Sequence, residues 1–363
     1  MIGGNRLAAI LRRPQELVPV GIDLALVDAA VEHGVAPLLY RTLRDDPRWT
    51  DLDEAVRARL TRLAREAVLL ESVRSADLAR VVRALHQAGI EPLLFKGAAL
   101  AATHYPEPWM RVRGDADLLV RPEDARGAGA VLERLGFARL RRPGGVHVTQ
   151  QARYIGVRDA IEIAYDVHWR MADPHAFGAA LSYAEIDREA ELDSASGARR
   201  PGHVHALLAA CVHRAAHHYD TPSLMLLCDV DRLARGLTPG EWERFAALVE
   251  AKHLRAVCLR GLDLASSAFG CVVPASVRTR LAVAEPAERT AAYVSGRLRR
   301  IDILRDDWRE LNGWRDRLQL LSDHLFPSPE YLGGDAKGSG LARQYLLRIL
   351  RGAPAWFRPL QKH

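Results

Sequence analysis

The 363-residue sequence predicts an α+β fold: a small mixed β-sheet core flanked by extensive N- and C-terminal helical regions. Two observations carry this prediction. Apolar residues recur at helical spacing through residues 1–89 and again through 202–326. Between these stretches the texture changes to short apolar runs punctuated by glycine, proline and paired acids.

The N-terminal region reads as helix throughout. Its clearest part is DLDEAVRARLTRLAREAVLLESVRSADLARVVRALHQAG, where Leu60, Leu63, Val68, Leu69, Val73 and Leu78 keep a helical period and Gly89 supplies a C-terminal stop. Pro92-Leu93-Leu94-Phe95 then reads as a strand that turns at Lys96-Gly97 into a helix from Ala98 to Tyr105. Pro106 and Pro108 break that helix, and residues 115–120 form a second strand. Pro122 opens a helix that runs to Leu135 and stops at Gly136. Strands are expected near Phe137–Leu140 and from Ala160 to Trp169. Helices return from Gly202, interrupted at Pro222, Pro239, Pro274 and Pro286. The chain thus divides into a helical region over 1–89, a core over 90–200, a helical domain over 201–326, and a loop with a basic C-terminal helix over 327–363.

Composition mostly excludes. With 48% hydrophobic and 26% charged residues the chain has ample material for a core. No apolar run approaches the ~18 residues of a membrane helix. The N-terminus lacks the apolar stretch and cleavage site of a secretion signal. Cys211, Cys228, Cys258 and Cys271 show no CxxC spacing and suit a reducing compartment, so a cytoplasmic protein is expected. The net charge of +6 permits a polyanionic partner without specifying one, because the arginines are spread along the whole chain. Of the 51 basic residues 47 are arginine; the four lysines are Lys96, Lys252, Lys337 and Lys362. A lysine kept where arginine has replaced almost every other cation marks a position at which a compact ammonium differs from a planar guanidinium.

The chemistry concentrates in the middle block. On a strand, Asp115 and Asp117 point to one face with Cα atoms about 6.5–7 Å apart, while Ala116, Leu118 and Val120 take the other. Two such acids repel unless a cation lies between them, and Mg²⁺ is the natural occupant. A bare Asp-x-Asp is more often a pair of solvated edge acids. The strand over 160–169 shifts that balance, because Ile161, Ile163, Tyr165, Val167 and Trp169 share one face and Glu162, Ala164, Asp166 and His168 the other. If the strands are neighbours, Asp166 or Glu162 adds a third carboxylate, which is what metal-assisted phosphoryl displacement requires. Lys96-Gly97-Ala98 lies at a strand-to-helix turn, where a glycine and free helix N–H groups favour a phosphate and Lys96 adds a point charge. Arg111 and Arg113 precede the acids and are further phosphate candidates.

Taken together, LLFKGAALAATHYPEPWMRVRGDADLLVRPEDARGAGAVLERLGF resembles a bacterial family labelled uncharacterised nucleotidyltransferase, within the DNA polymerase β-like superfamily. The matching residues are Lys96-Gly97, Tyr105-Pro106, Arg111, Asp115, Asp117 and Leu118-Leu119-Val120. Asp166-Val167-His168-Trp169-Arg170 is similar to the family's acid-x-His-Trp stretch, and His213, His217-His218 and Asp229 to its later helical motif. The resemblance covers roughly residues 60–330. It implies a Mg²⁺-dependent enzyme, with one or two ions, that moves a nucleotidyl group from an NTP, most simply ATP, to an acceptor and releases pyrophosphate. Asp115, Asp117 and Asp166 would hold the metal. Lys96, Gly97, Ala98, Arg111, Arg113 and His168 would line the nucleotide site. The superfamily generally places Ser where this chain has Ala98, which leaves room for a catalytically silent nucleotide- or peptide-binding accessory protein. A toxin-like enzyme acting on RNA rests on the positive charge alone, so a small-molecule, peptide or protein acceptor is preferred. The cluster His203, His205, His213, His217 and His218 includes an i, i+4 pair that could bind zinc, but no HExxH accompanies it, so packing or contact with an acceptor is the simpler role.

Overall fold

In the computed structural model the described residues are 2–12, 21–140, 150–178, 180–286, 288–311 and 313–325, together with Arg343, Tyr345, 356–358 and Leu360. The expected loop over 327–340 lies outside them, as does the basic stretch 341–350 apart from Arg343 and Tyr345.

Among the described residues the N-terminal region has four α-helices rather than one continuous run: α1 (Ile2–Arg12), α2 (Leu24–Glu32), α3 (Ala36–Arg44) and α4 (Glu54–Gln87). The Asp53 carboxylate caps α4 by accepting from Ala55 N at 2.8 Å. Its other end closes as expected at Gly89, which takes φ +75°. Gly89 N–H donates to His86 O and Ile90 N–H to Leu85 O, a double bond pattern that needs the left-handed step glycine adopts freely.

The core contributes β1 (Leu93–Phe95), α5 (Lys96–His104), β2 (Ala116–Leu119), α6 (Ala125–Arg134), β3 (Ala138–Arg139), β4 (Gln151–Arg158) and β5 (Ile161–His168). There follow α7 (Tyr183–Arg188) and the short strands β6 (Glu191–Leu192) and β7 (Arg199–Arg200). Among the described residues the strands make one mixed seven-stranded sheet in the order β3-β4-β5-β2-β1-β7-β6. Strands β4 and β5 form a hairpin whose turn, Asp159-Ala160, has positive φ at both residues. Strand β5 therefore starts at Ile161, one residue later than the sequence suggests.

The C-terminal helices are α8 (His203–Ala216), α9 (Leu224–Gly236), α10 (Pro239–Ala251), α11 (Arg255–Phe269), α12 (Ala275–Leu281), α13 (Arg300–Glu310) and α14 (Trp314–Leu325). No helix among the described residues is long and apolar enough to cross a membrane.

Period-two alternation gives the sheet two different faces. Leu94, Ala116, Leu118, Ile163, Tyr165 and Val167 pack with α4 and α6 in one apolar cluster. Leu93, Phe95 and Leu119, on the opposite face, belong to a second cluster built mainly from the N- and C-terminal helices. Asp117, Asp166 and His168 share that second face, between the sheet and the helices.

One buried ion pair spans this boundary. Arg111, in the loop before β2, donates through Nε and Nη2 to the Asp229 carboxylate of α9 at 2.7–3.1 Å, and Tyr105 Oη donates to the same carboxylate at 2.7 Å. Truncating one member strands the others without a partner, whereas an apolar replacement of both charges removes the desolvation cost as well. Asp229→Ala is therefore expected to cost about 3–5 kcal/mol in urea unfolding, and Arg111→Met/Asp229→Leu much less. Equal destabilisation by both would show that the pair is not the source of the loss.

Candidate active site

The site is laid out by strand register. Phe95, Asp117 and Asp166 are successive partners across β1, β2 and β5, and Arg153 of β4 is paired with Asp166. Asp117 and Asp166 are thus brought side by side, each with apolar neighbours in sequence that bury the opposite face. Glu162, the other candidate for a third acid, is exposed and lies opposite Val157. The register selects Asp166.

Asp117 is buried, and its Oδ1 accepts from Lys96 Nζ at 2.7 Å and from His168 Nε2 at 2.9 Å. Lys96 Nζ and His168 Nε2 are 3.3 Å apart. Burial alone would push the Asp117 pKa up. The Lys96 ammonium and the His168 hydrogen bond outweigh it and hold the carboxyl far below the usual range. His168 is fully buried, with its ring edge-on to Phe95 at 5.0 Å between centroids. Its Nδ1 has no hydrogen-bond partner, which assigns the ring proton to Nε2. Burial first, and the nearby Lys96 charge second, lower its pKa and keep the ring neutral.

Asp166 and Asp115 meet through Arg153. The Nη1 of Arg153 lies 2.9 Å from Asp115 Oδ2 and 3.3–3.4 Å from both oxygens of Asp166. Asp115 sits just before β2 rather than on it and is half-buried. Arg113 fixes this approach: its Nε and Nη2 grip Glu71 of α4 at 2.9–3.0 Å, and its Nη1 donates to Asp115 O at 3.3 Å.

Lys96 takes φ +56°, a left-handed step that is costly for a residue with a side chain and persists only where the surroundings enforce it. The step turns the chain from β1 into α5 and lays Nζ over the Phe95 ring, 4.8 Å from its centroid. The ammonium expected beside a phosphate is thus seated on Asp117. Gly97 and Ala98 form the first turn of α5, whose N-terminus has no side-chain cap. Ala98 is buried in the cluster shared with α4 and α6, and Arg111 is committed to Asp229.

The donors suit a divalent cation. Ligand atoms of Asp117, Asp166 and His168 lie within 4.8 Å of one another, and both contacts that neutralise Asp117 fall on Oδ1, with Oδ2 taking no part in either. Carboxylate oxygens are ligands for Mg²⁺; an imidazole widens the choice toward Mn²⁺ and Zn²⁺. Asp115 stands outside that group and joins it through Arg153.

His213 of α8 and His217 and His218 just beyond its end face the same site. His213 and His218 are in Nε2–Nε2 contact at 3.2 Å, and the His213 and His217 rings are 5.2 Å apart. Burial, then the Lys96 charge, lowers all three pKa values, His217 to about 3. They therefore stand as neutral rings. Among the described residues they do not join a metal-spaced group. His213 also lines a crevice between α5, α8 and α9 that begins at Lys96 and Gly97 and ends at His104 and Arg200.

Sequence reasoning missed Arg153 and Glu71. Arg153 follows a stretch that gives no strand signal, and Glu71 is one acid among many on a long helix. Gly97 allows a direct check of the phosphate-turn argument. An added Cβ would meet the Arg111 guanidinium at 3.4 Å, an ordinary contact, and the backbone there does not require glycine. Gly97→Ala is expected to leave the melting temperature within a degree or two while weakening ATP binding at least about tenfold, as a lost close approach of backbone to phosphate would. Unchanged affinity would remove Gly97 from the phosphate site.

The model of the family described as uncharacterised nucleotidyltransferase matches residues 23–270, a span that contains every site residue named above. No curated protein and no solved structure matches the chain. The ordered Lys-Gly turn, the Asp-x-Asp and the in-register third acid are set within that matched span, and the chain belongs to the uncharacterised nucleotidyltransferase family.

Proposed function

We propose that the chain is a Mg²⁺-dependent nucleotidyltransferase that moves a nucleoside monophosphate from an NTP, ATP being the first to test, onto an acceptor hydroxyl or amine and releases pyrophosphate. The observation that carries this reading is the in-register pair Asp117–Asp166, with Asp115 joined to it through one guanidinium nitrogen. When bound, a divalent cation would neutralise the triphosphate and stabilise charge developing on the leaving group. Asp115, Asp117 and Asp166 would hold it. Asp166, once released from Arg153, is the carboxylate placed to take the acceptor's proton. The uncapped first turn of α5 at Gly97 offers backbone N–H groups to the β- and γ-phosphates.

The acceptor enters, on this reading, from the side of α8 and α9, where the crevice opens beside Lys96 and His213. A small molecule, peptide or protein fits better than RNA. Among the described residues, Arg111, Arg113 and Arg153 are paired inward with Asp229, Glu71, Asp115 and Asp166 rather than displayed to a polyanion. A second reading, a silent nucleotide- or peptide-binding accessory protein, is favoured by the Lys96 ammonium already seated on Asp117.

Labelled ATP with Mg²⁺ separates the two. Pyrophosphate release should fall about 10²–10³-fold in Asp117→Asn and Asp166→Asn and vanish with EDTA. Release that is absent in the wild type, or undiminished in both variants, sinks the enzyme and leaves the binding protein. Lys96→Arg keeps the charge but cannot seat a planar fork on a buried Oδ1, so turnover should fall at least about tenfold. Full activity in that variant would make the lysine interchangeable.

A further inference from the structure

A second group of acids gathers beyond the His168 end of β5, and its most buried member has no cation. Asp307 of α13 is 6% exposed and accepts from His175 N at 2.9 Å, but among the described residues it enters no ion pair. Buried acids elsewhere in this arginine-rich chain are answered more fully. Asp77, Asp220 and Asp229 meet arginines, and Glu288 accepts from the Ala256 N–H and the Thr290 hydroxyl. Beside Asp307, the Asp306 carboxylate lies 3.8 Å from Arg309 Nη1. Asp173 comes from the sheet side, where it accepts from Gln150 N at 2.9 Å.

Tyr293, in the turn Arg289–Val294, completes the group. It is 2% exposed, its ring stands edge-on to Phe177 at 4.8 Å between centroids, and its buried Oη has no hydrogen-bond partner. The short turn His175–Phe177 therefore holds both ends of the group, Asp307 through its first N–H and Tyr293 through its last ring. Burial, then the Asp307 and Asp306 charges, raise the Tyr293 pKa, so the hydroxyl keeps its proton.

We propose that Asp173, Asp306, Asp307 and Tyr293 form an acceptor subsite for an ammonium group, so that the acceptor is an amine-bearing molecule which presents a hydroxyl or second amine to the acids of the active site. The inference rests on the nucleotidyltransferase reading and names its substrate class.

The unmet groups select the ligand. A buried carboxyl with a single N–H and a buried hydroxyl with no partner are both unfavourable as they stand. An ammonium brings three donors and one positive charge, and so answers both. Burial and the neighbouring Asp306, Asp173 and Glu310 push the Asp307 pKa up to about 7, the mark of a carboxyl short of a counter-charge. An anionic ligand would meet only repulsion here. A bare divalent ion does not suit the spacing either, because among the described residues these acids form no metal-spaced group.

Position ties the subsite to the chemistry. Gln150, which holds Asp173, precedes Gln151, the register partner of His168, and the Asp173 charge bears on the His168 ring. Tyr219 follows His218 in the loop between α8 and α9; it is exposed, and the charges of Asp173 and Asp307 both act on its hydroxyl. That loop is the way in. The family match ends at residue 270, so Tyr293, Asp306 and Asp307 lie beyond it, where a feature particular to this chain's substrate belongs.

Calorimetric titration of the nucleotide-free protein with spermidine, n-butylamine and n-butanol tests the pocket itself. Spermidine and butylamine should bind at one site per chain and butanol should not. Loss of a charged partner in Asp307→Asn should weaken amine binding at least about tenfold, and loss of the hydroxyl in Tyr293→Phe about threefold. Glu123→Gln, at an exposed acid outside the pocket, should bind as the wild type does. Circular dichroism melts identify any variant that fails to fold. Amine binding that is absent in the wild type, or equal in folded Asp307→Asn, overturns the subsite. So does a Ca²⁺ site lost in Asp307→Asn without any amine binding, which would give the pocket to a metal. The acceptor role is read with ATP and Mg²⁺, comparing amino alcohols from ethanolamine to aminohexanol with the diols of equal length. At least one amino alcohol should release pyrophosphate faster than its diol, with its KM raised about tenfold in Asp307→Asn. Equal release by amino alcohols and diols at every length overturns that role. No release with any compound, while spermidine still binds, sinks the transferase reading and keeps the ammonium pocket.

Discussion

Two carboxylates buried side by side on adjacent parallel strands are the constraint around which this molecule is arranged. Asp117 and Asp166 are each only a few per cent exposed and stand in direct register. Neither could remain charged in that position without cations brought to it by the fold. Strand β1 ends where it does so that Lys96 can reach Asp117, and β4 pairs with β5 in the register that sets Arg153 against Asp166. His168, two residues beyond Asp166 on the same face, completes the set by donating to Asp117. The strained step at Lys96 is the local cost of this arrangement, and the opposite face of the sheet, packed against α4 and α6, supplies the rigidity that sustains it.

A second tier of ion pairs fixes where the first one sits. Arg113 clamps the approach to β2 onto Glu71 of α4, and Arg111 clamps it onto Asp229 of α9. These two arginines, two positions apart, tie a single loop to helices on opposite sides of the sheet. The loop carries Asp115, so the position of that acid depends on both flanking layers. Arginine, with its forked geometry, serves there, while the compact ammonium of Lys96 is seated on Asp117, as that of Lys252 is on Glu185.

Much of this was legible in the sequence, for identifiable reasons. Strand β1 announces itself by an apolar run, β2 and β5 by apolar residues with acids on alternate positions, and an acid of β5, Asp166 or Glu162, is expected near Asp117 if those strands are neighbours. Gly89 marks the end of α4 because a left-handed residue is required there. Strand β4 was not legible: QARYIGVR places Gln151 and Arg153 on the face that carries the site, so its polar side chains mask the usual alternation. The two-residue strands β6 and β7 are too short to give any period. The partners of Arg111 and Arg113 were out of reach for a different reason. Each pair is formed between residues 118 and 42 positions apart, and nothing local records which acid a given arginine will meet.

Among the described residues, Lys96 and Arg153, the cations seated on the acids, come from the sheet block, whereas the helical layer over α8 and α9 contributes Asp229, the neutral histidines and the crevice wall. The two apolar clusters keep the same division, one behind the sheet and one in front. Descendants of this chain can therefore rebuild the front layer, helix by helix, without disturbing the charge balance that chemistry at the acids would demand. An architecture partitioned in this way separates the groups that hold charge at the acids from the wall that faces them, with Arg111–Asp229 among the pairs that join the two halves.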